Sequence, residues 1–87
     1  METPKLLNFP CDYPIKVMMR AGAGIRSAAD AVIARHAGAD VTARASERPS
    51  AQGNFIGVTY TIYARDERHI AVLFADLKDI AGVLLVL

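Results

Sequence analysis

The sequence predicts an α+β sandwich, a four-stranded antiparallel sheet with two helices on one face. Apolar residues recur at every second position over 15–20 and 55–64. They recur at spacings of three and four over 25–36 and 70–77. Glycines and prolines fall between these stretches, where a chain changes direction.

Pro4, Pro10 and Pro14 rule out a long helix at the start. Residues 1–13 read as an arm that packs on the domain, because Leu6, Leu7 and Phe9 need cover, and 14–87 read as the domain itself. "IKVMMR" alternates Ile15, Val17 and Met19 with Lys16, Met18 and Arg20, the pattern of a half-buried strand. "AGAG" (residues 21–24) breaks it, and Ile25, Ala28, Ala29, Val32, Ile33 and His36 then form one helix face. Gly38 is placed to close that helix in a left-handed cap.

"DVTARASER" reads as a polar edge strand with Val41, Ala43 and Ala45 on one face. A turn over 49–53 leads into the third strand. Ile56, Val58, Tyr60, Ile62 and Ala64 take one of its faces, and Phe55, Gly57, Thr59, Thr61 and Tyr63 the other. Asp66 suits an N-cap, with Glu67 in the first turn where the helix dipole favours an anion. Ile70, Leu73, Phe74 and Leu77 stripe the second helix, and Gly82 turns the chain into a last strand, "VLLVL". The order βαββαβ with right-handed crossovers is the ferredoxin-like sandwich.

Eighty-seven residues make one domain, and a chain this short buries roughly two-thirds of its unfolded surface. It is 53% hydrophobic and 22% charged, with a net charge of +1. That balance lacks the electrostatic footprint of a non-specific nucleic-acid binder. Locally, Lys16, Arg20, Arg26, Arg35, Arg44 and Arg48 outnumber Asp30, Asp40 and Glu47. Such a basic half is a solvated surface or a docking patch for an acidic partner. Cys11 is the only cysteine, which excludes an intramolecular disulfide and suits a reducing cytosol. No stretch has the form of a signal peptide, and the apolar end is too short to cross a bilayer, so a soluble cytoplasmic protein is expected.

The sheet face away from the helices should carry Lys16, Met18, Arg20, Thr59, Thr61 and Tyr63, joined by Leu84 and Val86. An apolar strip there marks a contact surface, and Met18, Tyr63, Leu84 and Val86 are its candidate residues, in a homodimer or under the N-terminal arm. A base-stacking sheet would need rings on both central strands. The first offers Lys16 and Met18 instead, so no nucleic-acid partner is expected.

The "RAGAG" turn meets a helix N-terminus, which makes Arg20, Gly22, Ala23 and Gly24 a candidate small-molecule site. A Walker cradle is absent, because no Gly-Lys-Ser/Thr follows the glycines. His36 reads as a packing and capping residue, and His69 as surface. Asp76 and Asp79 with Lys78 between them read as a solvated face. No catalytic constellation, metal site or cofactor is expected.

"LLNFPCDYPIKVM", "RHA" at 35–37, "SAQGNFIGVTYTIYA" and "DIAGVLLVL" together resemble the YbeD-like family of small uncharacterised bacterial proteins. The resemblance covers 6–87. It implies a ferredoxin-like fold close to the ACT type of regulatory domain, and no enzyme activity. ACT domains commonly bind a ligand at a glycine in the first strand-to-helix turn, for which Gly22 or Gly24 is the nearest match. The aspartate and proline that often precede that glycine are absent here. The expectation is therefore a non-enzymatic regulatory or interaction domain, with a metabolite sensor as the alternative.

Overall fold

A computed structural model describes residues 8–22 and 24–87. Seven elements follow in order: β1 (Cys11–Arg20), α1 (Ile25–Ala37), α2 (Ala39–Ala43), β2 (Ser46–Pro49), β3 (Phe55–Ala64), α3 (Glu67–Lys78) and β4 (Val83–Val86). The strands form one antiparallel sheet in the order β2-β3-β1-β4, the ferredoxin-like arrangement expected, with α2 as an addition. Readings that fall on Leu6, Leu7 and Ala23 lie outside the described residues. Phe9 packs against the core.

The core lies between the sheet and the helices. Ile15, Val17 and Met19 of β1 and Val58, Tyr60, Ile62 and Ala64 of β3 are buried against Ala29, Val32 and Ile33 of α1 and Leu73 and Leu77 of α3. Strand and helix periods select these side chains, as the alternation and the stripes predicted. Asp66 caps α3 by accepting from the main-chain N–H of His69 at 2.8 Å, and Glu67 sits in the first turn.

Cys11, Asp12 and Tyr13, read with the arm, open β1 instead. Pro14 is tolerated inside this central strand for a local reason. The N–H and C=O of Lys16 pair with Leu87 on the β4 side, and by alternation the proline nitrogen faces the same side. Pairing on that side runs from Met19 only as far as the Lys16–Leu87 pair, so no ladder bond is lost at Pro14.

Three expectations change. The stretch read as one edge strand begins as the short helix α2, and β2 covers only Ser46–Pro49. Val41 is buried from the helix, and the Thr42 hydroxyl donates to the Ala39 carbonyl at 2.7 Å. One large apolar residue among alanines does not distinguish the two periods. Gly38 takes φ 104° and ψ 145°, a positive φ without the left-handed ψ, and leads directly into α2. Finally, Val86 is 5% exposed and belongs to the core, not to the open face. The ladder shifts between Met18 and Met19: Leu85 pairs with Met18 and Val83 with Met19, which leaves Leu84 as the extra residue of a bulge. Past that bulge the faces exchange.

Candidate functional site

Cross-strand partners point to the same side of a sheet, so the ladders give the open face row by row. One row runs Arg48, Gly57, Met18, Leu85. The next runs Ser46, Thr59, Lys16, Leu87. Arg20 and Phe55 end the face on one side, and Asp12 and Tyr63 on the other. Met18, Tyr63, Leu84, Leu85 and Leu87 are all exposed, Tyr63 at 62% and Leu85 at 50%. Leu85 thus holds the place expected for Val86, while Leu84 lies exposed at the bulge.

Gly57 gives this face its shape. With no side chain it leaves a gap over which Met18 lies, its Cε 3.7 Å from where a Cβ would stand. A shallow hollow of about 400 Å³ results, lined among others by Lys16, Met18, Arg48, Gly57, Leu85 and Leu87. The rings do not form a row along β3. Phe55 and Tyr63 stand about 26 Å apart along the strand, with Gly57, Thr59 and Thr61 between them. The guanidinium carbon of Arg20 lies 5.9 Å from the centre of the Phe55 ring.

The charges sort by face. Arg26 binds Asp30 at 2.8 Å and also Glu47, Arg35 approaches Asp76, and Arg44 approaches Asp40. Lys16, Arg20 and Arg48 have no acidic partner among the described residues. Half of the six basic side chains singled out in the sequence are therefore paired on the helical side. The other half stands exposed on the open face.

On the helical side, the Tyr60 hydroxyl donates to Asp30 Oδ1 at 2.6 Å, beside the Arg26 donor to the same oxygen. Burial, then the bond to the Asp30 carboxylate, pushes the phenol well above its usual range. Hydrogen bonding to Asp30 raises Arg26 further.

One aspartate reading and one histidine reading also change. His36 Nε2 stands 2.6 Å from Asp76 Oδ2, so Asp76 faces a partner on α1 and not only solvent. His69, read as surface, is 5% exposed. Its spacing to Leu73 and Leu77 was the available signal, since all three fall on one helix stripe.

At the expected ligand turn, Gly22 and Gly24 are exposed, and Gly24 takes φ 90° as the N-cap of α1. The inner side of the turn is filled by Ile25, whose Cδ1 lies 3.3 Å from a Cβ built on Gly22 and 2.6 Å from one built on Gly82. Arg20 points onto the sheet face with Phe55, not into the turn. Among the described residues no group of three or more His, Cys, Asp or Glu side chains could hold a metal. No described helix is long and apolar enough to cross a membrane.

Residues 4–87 match the family described as "Protein of unknown function (DUF493)". The chain belongs to the DUF493 family. Relatives carry the name UPF0250 protein. One from Hahella chejuensis is 35% identical over 99% of this chain and 93% of its own length. One from Vibrio cholerae is 38% identical over 94% and 87%. One from Paraburkholderia phymatum is 35% identical over 83% and 81%. This DUF493 chain is thus a member of the YbeD-like group that its motifs resemble, and it spans 81% or more of each of these relatives.

Proposed function

We propose that this DUF493 protein is a non-enzymatic interaction domain of the cytoplasm that regulates a partner protein by docking on the open face of its sheet. The observation that carries the reading is the face itself: Met18, Leu85 and Leu87 exposed around a hollow floored by Gly57. Apolar surface gathered around a concavity, and not scattered singly, is what a contact site presents. Docking of another protein and the homodimer expected from the sequence both belong to this reading.

Light scattering at micromolar concentration and capture from native cytosol test it together, comparing the parent with Tyr63→Asp and Leu85→Asp. Loss of association or capture with an unchanged circular dichroism spectrum is expected. Equal mass and equal capture for all three forms would overturn the reading.

A second reading is a small-molecule sensor at the turn of Gly22 and Gly24, supported by the exposure of both glycines beside the start of α1. Thermal-shift measurements with free amino acids check it. A stabilisation lost in Gly24→Val is the expected result, and no stabilisation by any amino acid rejects it.

A further inference from the structure

We infer that the occupant of the open face is an acidic protein segment carrying leucine-like side chains, a deepening that rests on the interaction reading above. The face presents Lys16, Arg20 and Arg48 to solvent without acidic partners among the described residues. Its own acid is Asp12, at the far end beside Tyr63. Glu47 borders the hollow, but Arg26 holds its carboxylate on the helical side. A second copy laid on this face would set cation against cation around the hollow, and like-charge juxtaposition disfavours that pairing. Carboxylates on a partner would meet Lys16 and Arg48, which flank Gly57 and Met18 from two strands.

The apolar half of the site sets the rest of the partner's chemistry. Met18, Leu85 and Leu87 are flexible aliphatic chains, suited to receiving other aliphatic chains and adaptable in shape. Nucleic acid is the other polyanion that cations could attract. It needs rings to stack its bases, and here Phe55 lies under Arg20 while Tyr63 stands alone. A carboxylate-bearing, leucine-bearing segment satisfies both halves of the face.

The experiment titrates isotope-labelled full chain, followed by amide NMR, with three probes: a peptide alternating Asp and Leu, one alternating Lys and Leu, and oligouridylate. The Asp–Leu peptide should move the amides of Lys16, Met18, Gly57 and Leu85, and added salt should weaken it. The variant Lys16→Glu with Arg48→Glu should bind it about tenfold less tightly while its spectrum shows a folded chain. Equal binding of the Lys–Leu peptide overturns the acidic partner but keeps an interaction face. Movement of the same amides on dilution without any peptide does so too, by assigning the face to a second copy. Binding of oligouridylate alone, or a face that no probe and no dilution disturbs, overturns both readings.

Discussion

The ring of His69 on α3 donates through Nε2 to the main-chain oxygen of His36 on α1, at 2.8 Å. Its other nitrogen, Nδ1, accepts from the Arg65 N–H at 3.1 Å. An amide can only donate and a carbonyl can only accept, so these partners fix the ring as the neutral Nε2–H tautomer. The side chain of His36 returns to α3 by binding Asp76. Two polar links thus join the helices where α1 ends, and neither is visible as a local pattern.

His69→Ala should destabilise the fold by about 2–3 kcal/mol, because it leaves a main-chain donor and acceptor unpaired in a buried site and opens a cavity. Urea unfolding measures this. A cost no greater than that of an exposed substitution such as Arg68→Ala would show that water takes over both bonds.

The bond from His36, aided by its charge and that of Arg35, holds the Asp76 carboxyl below its ordinary value of 3.8. A group with a depressed folded pKa stabilises the fold above the unfolded value, and that contribution disappears as pH falls through the folded one. The stability difference between parent and Asp76→Asn should therefore shrink as pH falls below about 4. Unfolding curves over a pH series give the answer. A difference that still grows below about pH 4 contradicts the assignment.

Removing the Tyr60 hydroxyl and removing its acceptor should not cost the same. Tyr60→Phe deletes one donor and leaves Asp30 bound to Arg26, at about 1 kcal/mol. Asp30→Ala strands a buried phenol and releases Arg26, and should cost about 1–3 kcal/mol. Ultraviolet titration adds an independent check. The burial and bonding of Tyr60 predict that its ionisation is absent below the alkaline unfolding transition in the parent.

Gly82 and Gly53 both take positive φ, 98° and 76°. An alanine at either position pays about 1–2 kcal/mol for the left-handed backbone. At Gly82 its Cβ would also stand 2.6 Å from Ile25 Cδ1, whereas at Gly53 nothing lies within 4 Å. Gly82→Ala should thus lower the melting temperature more than Gly53→Ala. Equal losses would mean that Ile25 moves aside freely.

The layered fold was legible because its signals are local. Alternation in 15–20 and 55–64 and the helical stripes identify the core faces of β1, β3, α1 and α3 without reference to any neighbour. Tyr60 on the core face, Tyr63 on the open one and Asp66 as N-cap follow from the same periods. Where those periods are ambiguous, as at Val41 among alanines, the strand reading failed and a helical turn stands there. At the last strand the alternation itself was sound, but the bulge at Leu84 reversed its faces, so Leu85 and not Val86 joins Met18.

By itself, then, the chain's residue pattern determined the sandwich, the side of the sheet left open and the membership in DUF493 that its motifs resemble. The tertiary structure alone decided which charges are consumed and which remain. Arg26 and Arg35 meet acids from distant parts of the chain, and Arg44 meets Asp40 across one helical turn. Lys16, Arg20 and Arg48 do not, because alternation turns them to the face that carries few acids. The physical reason is reach: hydrophobic periodicity acts over a few residues, whereas ion pairing depends on which strands and helices the folded chain brings within 4 Å.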